Sequence, residues 1–209
     1  MHIESGLART AAGSIALIAW IGLLVQLIAV TAQVGSATEA VWVILRYFTV
    51  VTNLLAAVVL TGLALGQSAF QSQRLLGLLA LSILFVGAVY VVLLRGLVEL
   101  SGGALIADII LHYVVPSLAS LFWLLFAPKG DLHWPDPLLW TIYPLGYFAY
   151  ALTRGAFDGK YPYPFMDIPK IGWSSALTTV MIILVLYLLV GLILIWLGRR
   201  FKAGAILPH

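Results

Sequence analysis

Two groups of polar side chains sit in apolar surroundings. One is Arg46-Tyr47-Phe48-Thr49-Val50-Val51-Thr52-Asn53, inside an apolar run from about 40 to 65. The other is Asp108 with His112, four residues apart in a second such run. An arginine at the centre of a membrane helix costs roughly 2.5–3.5 kcal/mol, and polar groups there need partners. Such residues face other helices or a wet cavity, which makes them functional candidates. A threonine hydroxyl becomes a nucleophile only beside a base. An imidazole can be that base, and a carboxylate can fix its tautomer, as in hydrolytic triads. At helical spacing Arg46, Thr49 and Asn53 share one face, and so do Asp108 and His112. His112 is the only histidine within an apolar segment. His2, His133 and His209 fall at the ends or in a loop.

Each residue also has a plainer reading. Thr49 and Thr52 can bond the carbonyl one turn earlier. Arg46 can snorkel to an interface, and Asp108 can cap the start of its helix. Tyr161-Pro162-Tyr163-Pro164-Phe165 can be an interfacial aromatic belt. Asp108 and His112 supply only two metal ligands where catalytic zinc needs three, so no metal and no other cofactor is expected.

The elements that must position these groups follow from composition. Of 209 residues, 63% are hydrophobic and 9% charged, far below the roughly 25% charge of a soluble domain. The chain reads as an all-α integral membrane protein. Its net charge of +3 and pI near 9.3 fit Lys and Arg at a cytoplasmic surface, and no basic, aromatic-laced patch points to nucleic acid. With no cysteine, disulfides and thiolate chemistry are excluded.

Six segments are long enough for about 20 helical residues, at 10–33, 40–65, 74–97, 104–127, 135–153 and 173–198. The first is long for a signal peptide and is expected to stay as a helix. Together they make a single domain over 1–209, with Pro116 kinking the fourth helix. The stretch from Thr153 to Trp173 reads as a stiff extended loop. Arg199, Arg200 and Lys202 weight the count of basic residues toward cytoplasmic N and C termini. Thr49 and His112 then lie at matching depth below the outer face.

Phe48-Thr49, then His112 followed by Val114-Val115-Pro116, then Tyr163-Pro164-Phe165 occur in that order. With six spans, this order resembles the family of the androgen-induced gene product and the androgen-dependent TFPI-regulating protein. It looks closest to the bacterial Pr6Pr-type membrane members. The resemblance covers roughly 10 to 198. It implies an intramembrane threonine hydrolase, since the animal members cleave fatty acid esters of hydroxy fatty acids with a threonine and a histidine. The threonine maps to Thr49, with Thr52 a second match one turn on, and the histidine maps to His112.

The expectation is therefore a lipid-ester hydrolase in a bacterial inner membrane, opening toward the outer face. Thr49 is the nucleophile and His112 the base. Arg46, Asn53, Tyr161 and Tyr163 are the oxyanion donors to consider. Membrane lipids and the lipid ester are the partners, and the oligomeric state stays open. A non-catalytic binder or transporter of a small amphipath is the competing reading.

Overall fold

A computed structural model of the protein describes residues 6–204, with side chains as far as Arg200. His2 and His209 lie outside the described residues. Every regular element among those described is helical. The chain divides into two units, one ending at Asp131 and one starting at Leu132.

In the first unit, α1 (Gly6–Val34) ends at Gly35, whose φ of 79° is open to glycine. Ser36 then caps α2 (Ala37–Ile44), its hydroxyl accepting from the Glu39 N–H at 3.4 Å. A short turn leads to α3 (Phe48–Ala64). The continuous helix expected over 40–65 is not formed. α2 and α3 meet at 98°. Tyr47 adopts an extended conformation (φ −93°, ψ 131°), and its carbonyl accepts from the N–H groups of Val50 and Val51, so a new helix starts there. Arg46 therefore precedes α3 and does not share a helical face with Thr49 and Asn53.

α4 (Gln73–Val89) runs into a π turn at Tyr90–Leu94. α5 (Gly102–Ile109) runs through a second π turn at Ile110–Val114 into α6 (Val115–Phe126). Gly102 and Gly103 open α5, with Ser101 ahead of it, so Asp108 lies near the far end of α5 and is not its cap. Pro116 has no N–H to offer the His112 carbonyl one turn back, and the Val115 N–H reaches instead to Ile110. The departure from a regular helix expected at Pro116 thus takes the form of a π turn just before it.

α1 crosses α3 closely because small residues face each other. A Cβ on Gly13 would sit 3.4 Å from the Ala64 Cβ. The Trp20 indole donates to the Thr61 hydroxyl at 3.2 Å, and Arg9 Nε donates to the Ala64 carbonyl at 3.0 Å.

In the second unit, α7 (Asp136–Trp140) follows a turn in which Asp136 Oδ2 accepts from the His133 N–H at 2.8 Å. α8 (Ile142–Asp158) ends at Gly159 in the left-handed region. The extended loop expected over 153–173 is shorter than that. α8 continues to Asp158, Pro164–Met166 forms a single 3-10 turn, and α9 (Ile168–Gly204) begins before Pro169, which its first turn tolerates. Gly172, with φ 76°, interrupts α9 near its start.

Among the described residues, four helices are long and apolar enough to cross a membrane: Gly6–Val34, Gln73–Leu94, Gly102–Phe126 and Ile168–Arg200. The bent pair α2 and α3 makes a fifth if it counts as one span. The segment expected at 135–153 is not among them. Its longer helix has 17 residues, about 26 Å against ~30 Å of hydrocarbon, and carries Arg154.

Candidate active site

The break before α3 puts Thr49 in the first turn of a helix, and the π turn after α5 puts His112 opposite it. Thr49 Oγ1 lies 3.1 Å from His112 Nε2. The other ring nitrogen, Nδ1, is 2.9 Å from Asp108 Oδ1 and 3.1 Å from the Asp108 carbonyl oxygen. Both of these are acceptors, so Nδ1 carries the proton in the neutral ring. Nε2 is then a lone pair, and the Thr49 hydroxyl donates to it. The order hydroxyl, imidazole, carboxylate is that of a hydrolytic triad. Thr49 and Asp108 are both buried, and His112 is only slightly exposed.

Tyr90, in the π turn that ends α4, closes the group. Its hydroxyl donates to Asp108 Oδ2 at 2.6 Å. Its ring stacks on the His112 ring, with centroids 3.9 Å apart and planes 19° from parallel. Sequence reasoning missed Tyr90. A tyrosine near the end of an apolar segment reads as an interfacial anchor, and the only available signal was its place one span away from an unexplained intramembrane carboxylate.

Asn53 is wholly buried. Its Nδ2 donates to the Thr49 carbonyl at 2.9 Å and to the Leu111 carbonyl at 3.0 Å. An amide nitrogen has two hydrogens, and both are committed. Asn53 therefore ties α3 to the π turn and has no donor left for an oxyanion, contrary to the role considered for it. Arg46 and Thr52 are buried as well, Arg46 in the turn between α2 and α3 and Thr52 one turn beyond Thr49 on α3. The threonine hydroxyl that meets Nε2 is that of Thr49.

Tyr161 and Tyr163 belong to the second unit. There the Tyr161 ring lies against Gly155, where a Cβ would collide with it, and Tyr163 stacks on Phe165 at 5.1 Å. Among the described residues, no three His, Asp or Glu side chains gather in a way that could hold a metal ion.

No family model matches the chain, and no curated protein or solved structure does either. The chemistry of the site is accordingly read from its own geometry.

Proposed function

We propose that the protein is an integral membrane hydrolase that cleaves esters of long-chain acids through an acyl-threonine intermediate. The observation that carries this reading is the 3.1 Å contact between Thr49 Oγ1 and a His112 ring whose far nitrogen faces two acceptors. His112 Nε2 takes the Thr49 proton as Oγ1 attacks the ester carbonyl. The imidazolium that forms lies against the Asp108 carboxylate. It then returns the proton to the departing alcohol oxygen, leaving the acyl group on Thr49. Water, deprotonated by the same Nε2, attacks that acyl group, and the carboxylic acid leaves as Thr49 regains its hydrogen. Thr49 lies in the first turn of α3, where backbone N–H groups lack intrahelical acceptors and the helix end is positive. Its own N–H is the oxyanion donor we assign.

The setting favours a lipid substrate. The pair lies between apolar helices, and esters of long-chain acids concentrate in the bilayer. The order of Phe48-Thr49, His112 to Pro116 and Tyr163-Pro164-Phe165 adds the resemblance to the androgen-induced gene product family, and with it fatty acid esters of hydroxy fatty acids as the substrate class. In this reading the chain crosses a bacterial inner membrane six times, with both termini in the cytoplasm and the site reached from the outer side.

The test is turnover of a p-nitrophenyl ester and a lipid ester by purified protein beside Thr49→Ala and His112→Ala. Each substitution is expected to lower kcat by about 10²–10⁴-fold, the usual worth of a positioned base and its nucleophile. A fluorophosphonate should label Thr49 in the native chain alone. Equal rates in all three proteins would remove the hydrolase reading.

One feature favours the non-catalytic reading, a binder of a lipid-like amphipath. A cleft of about 500 Å³ opens between the end of α1 and the start of α5, with Val25, Ile28 and Ala29 on one wall and Ser101, Gly103 and Ala104 on the other. Recovery of an intact amphipath from this cleft, with no ester turnover, would decide for it.

A further inference from the structure

We infer that Tyr90 is a positioning residue: it clamps the Asp108 carboxylate and the His112 ring together, so that Nδ1 keeps its hydrogen and Nε2 faces Thr49. The inference rests on the hydrolase reading for its consequence in rate, but its structural content stands apart from it.

A carboxylate beside an imidazole can turn in several ways. Here both of its oxygens are engaged, Oδ1 by His112 Nδ1 at 2.9 Å and Oδ2 by the Tyr90 hydroxyl at 2.6 Å. Donors on both oxygens fix the rotation of the carboxyl plane. The same tyrosine covers one face of the imidazole at 3.9 Å, which restricts rotation of the ring. One side chain thus holds two groups through two different atoms. The Tyr113 ring meets Tyr90 edge-on at 5.5 Å, which restrains Tyr90 in turn. Both π turns contribute, since Tyr90 opens one and His112 lies in the other. Such turns re-aim side chains that a regular helix would point elsewhere.

The clamp is separable by substitution. Tyr90→Phe removes the hydroxyl and keeps the stack, and Tyr90→Leu removes both. With the hydroxyl gone, Asp108 Oδ2 loses its donor and the carboxylate is free to turn, so Nδ1 keeps only the Asp108 carbonyl oxygen at 3.1 Å as a fixed acceptor and the preference for one tautomer weakens. Ground-state binding of the ester is untouched, so kcat should fall and KM should not.

The experiment combines kinetics with ¹⁵N NMR of histidine-labelled protein in nanodiscs, the His112 signal being assigned with His112→Gln. Native protein is expected to show hydrogen on Nδ1, and Tyr90→Phe a mixture of tautomers. In kinetics, Tyr90→Phe is expected to lower kcat roughly tenfold to a hundredfold at constant KM. Because Tyr90 acts through Asp108, Tyr90→Phe on an Asp108→Asn background should add almost nothing. An unchanged His112 spectrum in Tyr90→Phe overturns the inference, as do effects of the two substitutions that multiply independently. Should native protein turn over no more ester than Thr49→Ala, the hydrolase reading falls, and the tautomer spectra alone decide on Tyr90.

Discussion

At the scale of single residues, Asn53 carries a direct test of how the pair is held. It spans α3 and the π turn with two hydrogen bonds from one nitrogen. Asn53→Leu keeps the branching and heavy-atom count of the side chain and removes both donors. Only the bond to Leu111 joins two elements, and interhelical hydrogen bonds of this kind average about 0.6 kcal/mol and reach about 1.7. A loss of about 1–2 kcal/mol in unfolding by detergent titration is therefore expected, together with reduced ester turnover as Thr49 and His112 separate. Lys129 offers a test against pH at the end of α6. Its Nζ donates to the carbonyls of Leu124 at 2.9 Å and Ala127 at 2.8 Å, and burial pushes its pKa down to about 8. A neutral amine still has two hydrogens, so both bonds survive loss of the charge. An unfolded lysine titrates near 10.4, so between about 8 and 10 the unfolded chain binds more protons than the folded one. Stability should rise as pH climbs through that window and be lower below it. Unfolding midpoints at pH 7 and 9.5 check this, and Lys129→Met should abolish the difference. Thr49, Asp108 and His112 were legible in the sequence because polar groups in apolar runs stand out. Tyr90 was not, because a tyrosine is unremarkable at a membrane interface, and the second role of Asn53 depends on a carbonyl that only the fold brings near.

At the scale of elements, the site is made by irregular backbone. α3 starts where no glycine or proline announces a break, so its bend at Tyr47 was not legible. The trouble in the fourth segment was legible, since Pro116 cannot continue the hydrogen-bond ladder, but the sequence could not say that the result would be a π turn that aims His112. The close passage of α4 past that turn depends on Gly87. A Cβ there would meet the His112 carbonyl oxygen at 3.1 Å and the Pro116 Cβ at 3.2 Å. One is backbone and the other a fixed ring, so α4 itself must move. Gly87 is one turn before Tyr90, and the shift would carry Tyr90 off the imidazole. Gly87→Ala is expected to cost about 1–3 kcal/mol in stability, the usual cost of overfilling a packed site. It should also lower ester turnover more than Gly146→Ala, where a Cβ meets nothing within 4 Å. Turnover and unfolding of the two variants side by side check it.

At the scale of the whole molecule, parity ties the number of membrane crossings to the sides on which the two termini lie. In the first unit, α1, the bent α2–α3 pair, α4 with its π turn, and α5 through α6 give four crossings if the bent pair spans. That returns the chain to the side on which it began. α9 is a further crossing by length and hydropathy. Both termini can then share the cytoplasm only if α8 crosses as well, although at 17 residues it falls short of the usual span. A thinner local bilayer would accommodate it at modest cost, and Arg154, which is buried, has the Tyr150 hydroxyl as a partner at 2.7 Å. The absence of native cysteine makes the test clean, since any introduced thiol reports alone. With six crossings, Lys160→Cys just past α8 should react with a membrane-impermeant maleimide on intact cells. Ser72→Cys, ahead of α4, should react only after permeabilisation. Were Lys160→Cys also silent until lysis, α8 would lie on the cytoplasmic side and the chain would cross five times. The C-terminal Arg199 and Arg200 would then face outward, against the usual preference of basic residues for the inside.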